Sequence, residues 1–120
     1  MQKKILLISR HAPYGNSTAR EALDTALAAS VYDQDISVLF MDDGIFQLLK
    51  NQGSQLIDQK NIASTIPALS LYGIENIYVH QNSMDERAIR AEELVLDEIK
   101  ILNDDDVKHL LNQQDHLLSF

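Results

Sequence analysis

The sequence predicts a three-layer α/β/α sandwich built on a mainly parallel five-stranded sheet, and three observations predict it. Short runs rich in β-branched residues and leucine alternate with helical periodicities from end to end of the chain. The first run, Lys4 to Ser9, holds the consecutive apolar residues Ile5 to Ile8 with no alternation, as a strand covered on both faces requires. Turn and helix-opening signals separate the runs, so successive strands are joined by crossovers, which are right-handed and lay helices against the sheet.

After the first strand, His11-Ala12-Pro13-Tyr14-Gly15-Asn16 gathers proline, glycine and asparagine and predicts a turn. Thr18-Ala19-Arg20-Glu21 has the spacing of a capping box, and a helix follows to about Tyr32. Its apolar positions Ala19, Ala22, Leu23, Ala26 and Leu27 fall on one face, and the alanines let that face lie close on the sheet. Ile36 to Met41 is the second strand, Ile45 to Leu49 a short helix ended by Asn51-Gln52-Gly53-Ser54, and Lys60 to Leu71 a further helix. Pro67 inside the last must kink it or sit near its first turn. Tyr72-Gly73 stops that helix, since glycine accepts the left-handed conformation. Ile77 to His80 is the third strand, and Ser83-Met84-Asp85-Glu86 predicts a second capping box opening a short helix through Ala91. Glu98 to Leu102 is placed as the fourth strand. Asn103 or Asp104 caps a last helix through Asn112, with Asp104-Asp105-Asp106 at the positive end of its dipole, and Leu117 to Phe120 is the fifth strand.

A length of 120 residues with 45% hydrophobic content predicts one domain over residues 1–120 with a core of its own. The four-residue apolar run Ile5 to Ile8 is too short for a signal-peptide core or a membrane span, so a cytoplasmic location is expected. There is no cysteine. Disulfides, thiolate metal sites and covalent persulfide chemistry on this chain are therefore excluded. A net charge of −8 repels phosphate backbones, and the ten basic residues are dispersed, which argues against direct nucleic-acid binding.

Ligands of an open parallel sheet bind beyond the carboxyl ends of its strands. The residues to weigh there are Arg10-His11, Asp42-Asp43 and His80-Gln81-Asn82. Two histidines and two aspartates at one edge admit a metal site or an acid–base pair. Against this, Asp42 and Asp43 precede a short helix, where capping outweighs catalysis, and His11 and His80 lack metal-ligand spacing. Neither a dinucleotide fingerprint nor a P-loop occurs, and no serine lies in G-x-S-x-G, so no cofactor is predicted. The helix Ile45-Phe46-Gln47-Leu48-Leu49 is more apolar than one sheet face can bury. Either it meets another subunit, or a later loop around Leu56-Ile57 covers it.

Arg20-Glu21-Ala22-Leu23-Asp24, Asp42-Asp43-Gly44-Ile45-Phe46-Gln47-Leu48-Leu49, Leu71-Tyr72-Gly73-Ile74 and Ser83-Met84-Asp85-Glu86-Arg87, in this order, resemble the DsrE/DsrF/DsrH family and within it the TusC (DsrF-like) branch. The D-G-[IV]-F-Q-L-L stretch is the most specific. The resemblance implies a non-catalytic subunit of a TusBCD-type complex that passes persulfide sulfur toward 2-thiolation of the tRNA wobble uridine. Its implied partners are TusB-like (DsrH) and TusD-like (DsrE) subunits in a heterohexamer, a dimer of heterotrimers, with TusA-like and TusE-like carriers met indirectly. The D subunit would carry the sulfur-accepting cysteine. The candidate interface residues, Phe46, Leu48 and Leu49 with Asp43 beside them, rest instead on the apolar excess of the short helix. Ala88 departs from the family pattern, in which a glycine often follows Glu-Arg. The competing reading is a stand-alone small-molecule enzyme using His11, Asp42 or His80.

Overall fold

The computed structural model describes residues 3–12, 17–32, 34–49, 66–95 and 98–120. Five strands, β1 (Lys4–Ser9), β2 (Asp35–Phe40), β3 (Asn76–His80), β4 (Lys100–Leu102) and β5 (His116–Ser119), form one sheet in the order β4-β3-β2-β1-β5. Every pairing is parallel. The helices are α1 (Thr18–Ser30), α2 (helical through residues 66–71), α3 (Gln81–Glu86) and α4 (Asp104–Asn112). A 3-10 helix, Asp42–Leu48, follows β2, and a 3-10 turn, Ala91–Glu93, precedes β4. This is the predicted sandwich.

The strand order decides where the helices go. β1 to β4 step across the sheet in one direction, so right-handed crossovers place α1, α2 and α3 on one face. The chain then reverses to bring β5 beside β1, which puts α4 on the other face. Packing follows that division. Leu7, Val38, Phe40 and Val79 join Leu23 and Ala26 of α1, Ile66 and Leu69 of α2 and Met84 of α3 in one core. Leu6 and Leu39 join Val107 and Leu110 of α4 in the other. Leu6 and Leu7 are consecutive and both buried because neighbouring strand residues point to opposite faces, which explains the unbroken apolar run of β1.

Several boundaries differ from the sequence expectation, each for a local reason. β2, β3 and β5 begin one residue earlier, and β4 is shorter, starting at Lys100. α1 begins at Thr18 with Ser17 at its cap, so the Thr18–Glu21 box does not form. The Ser17 hydroxyl donates instead to the Glu21 carboxylate at 2.9 Å. α3 starts directly after His80, which places Ser83 inside the helix rather than at its cap, and the helix ends at Glu86 rather than Ala91. The last helix is capped as expected: Asp106 N–H donates to Asn103 Oδ1 at 2.8 Å, and Asn103 N–H donates back to Asp106 Oδ2. Gly73 closes α2 with φ 84°, the left-handed stop read from Tyr72-Gly73. Residues 13–16 of the turn expected over His11–Asn16, the helix stop at 51–54, the start of the helix at 60–65 and the covering loop at Leu56-Ile57 lie outside the described residues.

The helix expected at Ile45–Leu49 is a longer 3-10 helix that takes in Asp42 and Asp43. With three residues per turn, side chains at i and i+3 eclipse, so this helix presents three ridges. Gly44 and Gln47 form the ridge against β1. A Cβ on Gly44 would stand 2.0 Å from the Ser9 carbonyl oxygen, so only glycine permits this approach. Fully buried Gln47 uses both amide hydrogens there, donating to Ser9 Oγ at 2.7 Å and to the His11 carbonyl at 3.0 Å. Ile45 and Leu48 form the core ridge and are fully buried. Asp43, Phe46 and the following Leu49 form the outer ridge: Asp43 is exposed, and the two apolar residues are half-buried against the core.

Candidate functional site

β3 and β4 are neighbours whose chains leave to opposite faces, one into α3 and the other into α4. Such a reversal opens a crevice at the carboxyl ends of the two strands, the usual ligand position in open α/β sheets. His80 ends β3 and pairs in register with Leu102, the last residue of β4. A cavity of about 150 Å³ lies beside it, lined by Gln81, Asn82, Asp85, Asn103 and Asp104.

The polar groups of this crevice are joined in a chain. His80 Nε2 lies 2.6 Å from Asp104 Oδ1, and His80 Nδ1 lies 2.7 Å from Ser83 Oγ. The Asp42 backbone N–H donates to the same Ser83 oxygen at 2.9 Å. A carboxylate can only accept, so in the neutral ring Nε2–H donates to Asp104 and Nδ1 accepts the Ser83 hydroxyl proton. Ser83 Oγ in turn accepts from Asp42. Each group then has a partner, and one imidazole ties β3, α3, α4 and the 3-10 helix together.

The order Ser83, His80, Asp104 resembles a nucleophile, base and orienting acid, but the geometry opposes that chemistry. Ser83 is 2% exposed and its oxygen already accepts an amide proton, so no substrate carbonyl can reach it. Asp104, by contrast, has a side chain 75% exposed. Both ring nitrogens of His80 are occupied within the protein, which leaves the imidazole no free position for a substrate proton.

Asp42 and Asp43 do not cap the 3-10 helix. Met41 holds the cap position and no side chain closes it. Asp42 adopts φ 52°, which directs its carboxylate to Arg10 Nε at 2.8 Å. Asp43 accepts from Arg87 Nε at 3.1 Å and pairs with its Nη2 at 3.0 Å, while Nη1 of the same arginine donates to the Ser83 carbonyl. Both aspartates therefore serve as anchors for guanidinium groups. His11 is exposed and contributes its backbone carbonyl, to Gln47. Of the sequence candidates, the structure joins His80 to Asp42 through Ser83 and leaves the His11 ring outside that chain. Among the described residues, no group of three or more His, Cys, Asp or Glu side chains could hold a metal ion. No helix among them is long and apolar enough to cross a membrane.

Arg10, one of the strand-end candidates, is held by Asp42, whereas Ser83, Asp104 and Arg87 were not among the strand-end candidates that the sequence offers. The spacing of His80 and Ser83, three apart across a strand end, was the one local signal for their contact.

Comparison with known proteins extends along the whole chain. The chain is 36% identical over 119 residues to a TusC homolog of Pseudomonas aeruginosa, with 99% of each chain covered. It is 39% identical over 113 residues to a TusC homolog of Aliivibrio fischeri, covering 94% and 95%. To the intracellular sulfur oxidation protein DsrF of Allochromatium vinosum it is 34% identical over 131 residues, covering 98% and 96%. The fold matches the crystal structure of the ychN protein from E. coli with a TM-score of 0.83 at 23% identity, over 100% of both chains. A protein of unknown function from Methanobacterium thermoautotrophicum matches with a TM-score of 0.69 at 10% identity. With the DsrE/DsrF-like family model matching residues 3–120 and curated relatives this similar over nearly its full length, the chain belongs to the DsrE/DsrF-like family.

Proposed function

We propose that this chain, a single DsrE/DsrF-like domain over residues 1–120, is a non-catalytic subunit of a TusBCD-type sulfur-relay complex. The relay passes persulfide sulfur toward 2-thiolation of the tRNA wobble uridine in the cytoplasm. The observation that carries this reading is a chain without cysteine that is similar from end to end to TusC homologs and to DsrF. A persulfide needs a thiolate, so the sulfur must ride on another subunit. The crevice at β3 and β4 supports the same reading, because its imidazole and hydroxyl are used within the fold.

The partners in this proposal are TusB-like (DsrH) and TusD-like (DsrE) subunits in a dimer of heterotrimers. TusA-like and TusE-like carriers are met only through those partners, and tRNA is not bound by this chain. The interface we assign includes the outer ridge of the 3-10 helix, Asp43, Phe46 and Leu49, with Leu48 supporting that ridge from within the core.

The test is co-expression of the full chain with a DsrE-like and a DsrH-like protein of the same organism, followed by light scattering and mass spectrometry after incubation with a persulfide donor. A stable mixed complex in which only a partner chain gains sulfur is the expected result. A chain that stays alone in the presence of both partners, or that itself gains one sulfur atom, overturns the proposal.

A further inference from the structure

We draw no further inference here: the strongest candidate, the cavity of about 650 Å³ lined by Pro67 and Ser70 of α2 with Ile74, Ile77, Val95 and Ile99, adjoins in sequence residues 96–97 and the stretch before residue 66, which lie outside the described residues, so nothing in the structure shows what covers it.

Discussion

Gly73 and Ala88 occupy the same backbone position at the ends of two different helices. After α2, Gly73 N–H donates to the Ser70 carbonyl and Ile74 N–H to that of Leu69; after α3, Ala88 N–H donates to Asp85 and Ile89 N–H to Met84. Both are Schellman closures, and the two residues have φ 84° and 53°. The left-handed conformation costs a residue with a Cβ about 1–2 kcal/mol, whereas glycine adopts it freely. Ala88→Gly should therefore stabilise the chain by roughly 0.5–1 kcal/mol once the greater freedom of glycine in the unfolded chain is subtracted. Gly73→Ala should destabilise it by a similar amount, because a Cβ there meets nothing within 4 Å and only the backbone conformation is penalised. Thermal melting of the two variants should shift by a few degrees in opposite directions. A fall in melting temperature on Ala88→Gly would show that the methyl group contributes more than the strain costs.

Gly44→Ala is expected to be far worse than Gly73→Ala although the chemical change is the same. Its Cβ would stand 2.0 Å from the Ser9 carbonyl oxygen and 2.7 Å from its carbon, both backbone atoms of a paired strand that cannot swing aside. The 3-10 helix must lift from β1, which strains the bonds of Gln47 to Ser9 and His11 and of Asp42 to Ser83. A loss of about 3 kcal/mol or more, at the upper end of overpacking, should appear in denaturant unfolding. A loss below about 1 kcal/mol would mean that the helix and strand separate easily.

The two ends of the His80 chain should respond unequally to mutation. Ser83→Ala leaves the Asp42 N–H and His80 Nδ1 without their partner in a buried place, and a stranded buried polar group costs about 1–3 kcal/mol. Asp104→Asn removes a carboxylate whose side chain is 75% exposed, and exposed pairs contribute about 0–1 kcal/mol. Equilibrium unfolding should rank Ser83→Ala as the more damaging by about 1 kcal/mol, with the far-ultraviolet spectrum of both variants unchanged. The reverse ranking would show that the imidazole is held chiefly from α4.

Much of this architecture was legible because burial on two faces leaves a pattern that a short sequence can hold. β1 could be read from Lys4 to Ser9 since an unbroken apolar run has few other uses. The cap of the last helix could be narrowed to Asn103 or Asp104 because capping is a local pattern; the structure chooses Asn103 and pairs it with Asp106. The capping pattern failed at Ser83. A serine three residues before a glutamate looks the same whether its hydroxyl meets a free N–H or turns inward, and only the start of α3 directly after His80 decides which. Asp42 was misread for a related reason: nothing in an aspartate signals φ 52°, a conformation imposed by Ser83 and Arg10 from other elements. The apolar excess of Ile45 to Leu49 was real, but a 3.6-residue period spreads it around the helix, whereas the observed 3-10 winding sorts it into separate ridges.

That sorting separates two readings of neighbouring leucines. Leu48 is fully enclosed with Ile45 in the core, so Leu48→Ala should cost about 2–5 kcal/mol of chain stability. Leu49 and Phe46 are half-buried on the outer ridge, and Leu49 also forms a β-bridge with Leu94 through its backbone, which a side-chain truncation leaves in place. Leu49→Ala and Phe46→Ala should therefore lower the melting temperature of the isolated chain less than Leu48→Ala does. If the ridge is part of the subunit interface, each of the two outer truncations should weaken assembly by about 2 kcal/mol, roughly thirtyfold in affinity. Titration of each variant against the purified partner subunits, set beside the melting of the variant alone, gives both numbers. Partner affinity unchanged for Phe46→Ala and Leu49→Ala would remove the outer ridge from the interface. Partner affinity lost in step with stability for all three variants would show that the 3-10 helix acts only as core.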